Sequence, residues 1–301
     1  MSRFSPNRFS PSDAALEGFR LIRAHPGVML IWSAVYFGGL LLIFLMMTAT
    51  LGPEFIALTR KDGFLNGDLE DVSGMLAQSL PAFLLVLVMS AGLWSIITGG
   101  VLRLVLHPED HGFAYLRLGR DELRLTLANL LCIAIYMASA IVGIVLAGAL
   151  RQSGLVMLWF GAFVGVSFAL WIGIRLCLLL PIVFARRRVS LGQAWDLTQG
   201  HFWDLLGMVF MAVVFYVIIW VVFAIVSFGL VSVSGGAEAM HDLTHIGVLT
   251  ALTAIIGLVM QFLLQVLQIV MIYAPSAYAY RALTRSEDSP DGPSPDAVAT
   301  T

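Results

Sequence analysis

The sequence predicts an all-α, polytopic integral membrane protein with six transmembrane helices. Three observations carry that expectation: an excess of apolar residues, six runs long enough to cross a bilayer, and arginines that fall on one side of them. Of 301 residues, 59% are hydrophobic and 12% charged, against about 45–50% and 25% in soluble domains. A soluble core cannot absorb so much apolar surface, whereas a bilayer can.

A spanning helix needs about 20 largely apolar residues. The runs that qualify are Val28–Leu51, Leu80–Leu106, Leu125–Leu150, Leu155–Phe184, Leu205–Val233 and Gly247–Ala274. The first is too long for the apolar region of a signal peptide and follows a mostly polar stretch, so it is expected to be a true span. Residues 1–26 then form an amphipathic N-terminal segment and 27–285 the membrane domain. Residues 286–301, rich in Ser, Pro and Asp, form a tail expected to be disordered.

The arginines give the orientation. Arg3, Arg8, Arg20 and Arg23 precede the first span; Arg103, Arg117, Arg120 and Arg124 lie around the second connection. Arg175 and Arg186–Arg188 lie around the fourth, and Arg281 and Arg285 follow the sixth span. Fourteen of the 17 Lys and Arg residues thus share a side, leaving Arg60, Lys61 and Arg151 opposite. Cytoplasmic connections are the ones enriched in Lys and Arg. The expectation is a multi-pass protein of a bacterial inner (cytoplasmic) membrane with both termini cytoplasmic.

The far connections differ in length. Gly52–Ser79 is expected to be a long acidic loop, while Arg151–Gly154 is a four-residue turn that makes spans three and four a tight hairpin. Small residues agree with that hairpin: Ser139, Gly143 and Ala147 on span three, and Gly161, Gly165, Ala169 and Gly173 on span four. Such faces let helices approach closely where water drives no packing, and mark the hairpin as the expected centre of the bundle. A smooth pore wall is the other reading of the same face.

Amphipathic segments lead into the odd-numbered spans. Ser190–Leu206 places Leu191, Ala194, Trp195, Thr198, Phe202, Leu205 and Leu206 on one helical face, with Ser190 and Gln193 spaced as a capping box. Ser10, Pro11 and Asp13 give a helix start ahead of the apolar face Ala15, Phe19, Ile22 and Pro26. Phe113–Leu125 occupies the matching place before span three. At the ends of the even spans, Arg103 precedes Pro108, Arg175 precedes Pro181 and Gln268 precedes Pro275. Together these point to a threefold internal pattern of interfacial helix, outgoing span and returning span.

Arg175, Pro181, Ser190, Leu191, Ala194, Trp195, Leu197, Thr198, Gly200, Phe202 and Trp203 form a basic-Ser-Leu step followed by Ala-Trp-x-Leu-Thr-x-Gly-x-Phe-Trp. In this the C-terminal half resembles a bacterial six-span membrane family. That family includes the membrane domain associated with some glycerophosphodiester phosphodiesterases and the YciC-like inner-membrane proteins. The resemblance implies six spans and an inner-membrane location. It does not carry diesterase activity, because every segment outside the spans is too short to be a catalytic domain.

Little in the chain points to chemistry. Cys132 and Cys177 lie within apolar runs and read as small buried hydrophobes. His107 with His111 and His241 with His245 have a spacing that can hold a metal on a helix, but the topology separates the pairs; solvated loop histidines are the plainer reading. Ser232-Val233-Ser234-Gly235 lacks the glycine of an intramembrane serine-protease motif, and phosphate-binding glycine loops are absent. A net charge of −2 excludes a nucleic-acid footprint. No cofactor is implied, and a non-enzymatic role is expected.

Two groups of site residues remain. Arg103, Arg175, Arg186, Arg187 and Arg188, with Trp195 and Trp203, are expected to contact lipid at the cytoplasmic interface, where each basic residue contributes about 1 kcal/mol toward anionic headgroups. Arg175 lies either inside span four or at its inner edge, snorkelling to the headgroups. Gln261, Gln265 and Gln268 share one face of span six and either bond between helices or line a polar path. The expected role is lipid or partner engagement in envelope maintenance; the alternative is a transporter or channel for a small polar or anionic solute. A reporter fused after Thr301 is expected to score as cytoplasmic, and an external signal refutes the six-span topology.

Overall fold

The computed structural model describes residues 10–60, 69–109, 112–150, 154–233 and 247–287. Its helices are α1 (Pro11–Ala24), α2 (Pro26–Arg60), α3 (Leu69–Leu106), α4 (Arg120–Leu150), α5 (Leu155–Leu176), α6 (Leu179–Arg186), α7 (Leu191–Thr198), α8 (Phe202–Val233) and α9 (Val248–Glu287). A single 3-10 turn, Phe113–Tyr115, precedes α4. Among the described residues there is no strand. Six helical stretches, one for each expected span, are long and apolar enough to cross a membrane. The chain is an all-α polytopic membrane protein.

Adjacent contacts run α2 to α3, α3 to α4, α4 to α5, α5 to α8, α8 to α9 and α9 back to α2, closing a ring that α3 and α9 also bridge. Helix α1 lies across α8 and α9 rather than along its own span. Ser10 caps α1 as expected, its Oγ accepting from the Asp13 amide at 3.5 Å. The buried face is Ala14, Ala15, Gly18 and Leu21, rotated from the expected one. Gly18 sets that rotation, since a Cβ there would fall 3.3 Å from the Met271 Cα on α9. Phe19 still packs edge-on against Phe215 of α8, 5.3 Å between ring centres.

Several boundaries differ from expectation for identifiable reasons. The Gly52–Ser79 connection is helical through Arg60 and again from Leu69, so both helices continue past their apolar runs. Span four is not continuous. It breaks at Cys177 and Leu178, because Pro181 has no N–H to donate to the Cys177 carbonyl and its ring crowds that group. Pro275 stands inside α9 without ending it. The Ser190–Leu206 segment divides at Gly200, whose φ of +82° takes the left-handed conformation that glycine tolerates. Ser190 makes no side-chain cap bond, so the capping box is not formed. Before span three the interfacial element is one 3-10 turn rather than a helix.

The small-residue faces of α4 and α5 do meet. A Cβ on Gly165 would fall 2.7 Å from the Gly143 Cα, and one on Gly173 would meet the Tyr136 hydroxyl at 3.2 Å. Yet this hairpin is not the centre of the bundle. The largest fully buried side chains, among them Trp32, Leu102, Leu125, Ile182, Leu205 and Ile269, gather at the arginine-rich end. Beyond Tyr136 on α4 and before Ala169 on α5, most large side chains are exposed. Glycines allow close approach but bury little volume, so the tight contact and the core separate. Gly165→Val is expected to destabilise the folded protein by about 1–3 kcal/mol, read from detergent unfolding curves. Gly148→Ala, where a Cβ meets nothing within 4 Å, is expected to change little.

Candidate functional site

The arginine-rich end is organised around Arg103, in the last turn of α3. Gly100, one turn earlier, lets other elements close in: a Cβ there would lie 3.0 Å from the Trp32 ring and 3.1 Å from Leu116. Arg103 therefore points inward, its side chain 5% exposed, and Nη2 donates to Oε1 of Glu122, which is 6% exposed. Its Nη1 donates to the Tyr115 carbonyl at 2.9 Å, and the guanidinium lies 5.6 Å from the centre of the Phe184 ring. Trp32 Nε1 donates to the adjacent Ala114 carbonyl at 2.7 Å. Ala114 and Tyr115 have φ of +46° and +60°, left-handed values that cost non-glycine residues about 1–3 kcal/mol each. Those two strained residues turn their carbonyls toward two buried donors.

Two cavities lie on either side of α6. The larger, about 640 Å³, is partly open and is lined by α3, α4, α5, α6, α8 and α9. Its walls are chiefly apolar, with Leu87, Ile133, Leu170, Met208 and Ile272 among them. Polar groups are few: Ser90, Asn129, Tyr136, Ser276, and a Trp94–Tyr273 pair in which the indole N–H donates to the phenol oxygen at 3.0 Å. No charged side chain lines it. The smaller cavity, about 420 Å³, is polar and includes Arg103, His107, Arg117, Asp121, Glu122 and Arg187. Leu180 faces the first and Phe184 the second, so α6 is the partition between them.

Arg175 lies in the last turn of α5, on neither cavity wall. Its guanidinium carbon is 4.9 Å from the Trp195 ring centre and 5.8 Å from that of Trp171. Nη1 donates to the Thr198 hydroxyl at 3.3 Å, and Nε is buried without a hydrogen-bond partner. The α5 helix ends just past Arg175, within a candidate span that runs from Trp159 to Arg186. Arg186, Arg187 and Arg188 are exposed where α6 ends, with Arg187 in the left-handed C-cap and its Nε 4.0 Å from Asp121. Trp203 is 79% exposed at the start of α8.

The glutamines behave differently. Gln265 Nε2 donates to Gln268 Oε1 at 3.1 Å, and the Tyr216 hydroxyl to the same oxygen at 3.4 Å. Gln261 is exposed, and none of the three lines either cavity. His107 sits 3.5 Å from Glu109; His111, His241 and His245 lie outside the described residues. No group of three metal-ligating side chains occurs among the described residues. Glu122 escaped the sequence reading, although an acid in the first turn of the helix after Arg103 was the available signal. Nothing in the sequence pointed to the Trp94–Tyr273 pair. The chain matches no family model, no curated protein and no solved structure.

Removing one partner of a buried ion pair leaves an uncompensated charge, worth about 3–5 kcal/mol. Arg103→Met alone is expected to destabilise by that order. Arg103→Met with Glu122→Leu is expected to recover most of the loss, read as coupling in a double-mutant cycle of detergent unfolding.

Proposed function

We propose that this is a non-enzymatic, multi-pass protein of a bacterial cytoplasmic membrane, with both termini in the cytoplasm, that holds lipid and serves envelope maintenance. The observation that carries the proposal is the 640 Å³ cavity inside the bundle, apolar on most of its wall and free of lining charge. A cavity of that character suits an acyl or other hydrocarbon chain, with a few hydroxyl and amide groups to orient it. Polar or anionic solutes gain little from such a wall. Of the glutamines that could have served them, Gln265 and Gln268 bond to one another and Gln268 to Tyr216, and all three lie outside it. Exposed Arg186–Arg188 at the same end fit an anionic leaflet, in keeping with the one-sided arginine count.

Ser90 faces the cavity from α3, so Ser90→Phe places a ring where a chain would lie. Native mass spectrometry of the purified protein is expected to find retained lipid in the wild type and a clear loss in Ser90→Phe. An identical lipid complement in both overturns the proposal. Solute flux in proteoliposomes that Gln265→Leu abolishes would instead favour a transporter.

A further inference from the structure

Arg103 and Arg175 stand at matching places, each in the last turn of a returning span ahead of a proline. Their charges are treated in opposite ways. Arg103 is neutralised inside the protein by Glu122, the third residue of the next long helix, α4. The third residue of α8 is Asp204, a carboxylate in the corresponding position, but it is exposed and makes no ion pair with Arg175. Among the described residues no carboxylate lies within ion-pairing distance of Arg175 at all.

What surrounds Arg175 holds the charge without cancelling it. Trp171 and Trp195, themselves 5.2 Å apart edge to face, both lie to one side of the guanidinium, 5.8 and 4.9 Å from its carbon. Thr198 accepts one hydrogen bond, and Nε is buried with none. Cation–π contact contributes about 0.5–2 kcal/mol but supplies no counter-charge. A half-buried arginine oriented this way still lacks an anion with several acceptor oxygens.

Depth selects the anion. Counting from Leu155, a rise of about 1.5 Å per residue carries Arg175 about 30 Å along α5, the thickness of the hydrocarbon core. That places the fork at the headgroup level of the leaflet on the arginine-rich side. Trp171 and Trp195 are partly exposed there, as aromatic side chains at that level are. Tetrahedral phosphodiester oxygens match the forked donor geometry of a guanidinium. We infer that Arg175, held beside Trp171 and Trp195 and bonded to Thr198, binds the phosphodiester of a membrane phospholipid. The inference rests on the lipid-engaging reading of the chain but concerns a separate site, since none of these four residues lines the central cavity. The cavity is tested by lipid retained through purification and this site by lipid added back, so either assignment can fail alone.

The test titrates the purified full chain in neutral detergent with diheptanoyl phosphatidylglycerol, following tryptophan emission. Same-chain diacylglycerol, which lacks the phosphate, and inorganic phosphate form the parallel arms. Saturable binding is expected for the phospholipid only. Arg175→Gln is expected to weaken it at least about tenfold, the scale of a lost charged hydrogen bond. Arg175→Lys is expected to fall between, keeping charge but losing the planar fork. Arg20→Gln, a surface charge change elsewhere, controls for net charge. Should Arg175→Gln fail to fold, Trp195→Leu replaces it, with a several-fold weakening expected from loss of the nearer ring. Unchanged affinity in the folded variant, or an equal response to diacylglycerol, overturns the inference. Saturation by inorganic phosphate alone overturns the lipid source and assigns a soluble anion.

Discussion

The buried pair between Arg103 and Glu122 is the contact on which the arginine-rich end depends. An arginine in the last turn of a span has two outlets: its long side chain can reach outward to the headgroups, or it can turn inward to an acid. Turning inward commits the neighbouring chain. Once Glu122 takes one edge of the guanidinium, the other edge needs an acceptor, and the connection between α3 and α4 provides it. That connection supplies the Tyr115 carbonyl by entering the left-handed region at Ala114 and Tyr115. Trp32 takes the Ala114 carbonyl, and Phe184 covers the guanidinium face. One ion pair thus sets the positions of α2, α3, α4 and α6 relative to one another.

The rest of the bundle follows from the absence of a hydrophobic drive between helices in lipid. Apolar flanks lose nothing by facing acyl chains, so packing is dense only where polar groups or close backbone contact demand it. The arginine-rich end has the polar demand and collects the large buried side chains. The far end has only the Gly143–Gly165 approach, which joins α4 to α5 without drawing in other helices. Contact between α5 and α8 is correspondingly slight, and the central cavity occupies the space between the well-packed floor and the loosely joined walls. Helix α6 forms that floor because Pro181 breaks span four and lets its last eight residues turn beneath the cavity.

How much of this the sequence disclosed depends on the range over which each feature is encoded. Span number was legible because hydropathy acts locally over about 20 residues. The helix start at Ser10 was legible too, since a cap lies within a few residues of what it caps. Interruption of span four was half legible: Pro181 was noticed as a recurring mark, while its consequence for the Cys177 carbonyl was not drawn. Glu122 was invisible as a partner because its role is defined by an inward turn of Arg103, 19 residues earlier. The cavity was beyond reach, as its wall draws on six helices and no short stretch records it. Trp195 and Arg175 were both identified as interfacial, but that each holds the other is a fact of three-dimensional placement.

The ends of the three returning spans show one problem met in three ways. At each, a polar side chain stands five to seven residues before a proline. Arg103 is answered by a carboxylate and a carbonyl, so its unit closes on itself. Gln268 is neutral and is answered by Gln265 and Tyr216, again within the protein. Arg175 alone keeps its charge, answered by two indole faces and a hydroxyl. If all three served only to anchor helices, the middle one would be the least stable solution, because an unpaired cation gains little from aromatic rings beside what a carboxylate provides. The difference lies in the partners within reach: a carboxylate and a carbonyl beside Arg103, a glutamine and a phenol beside Gln268, and only a hydroxyl and two indoles beside Arg175.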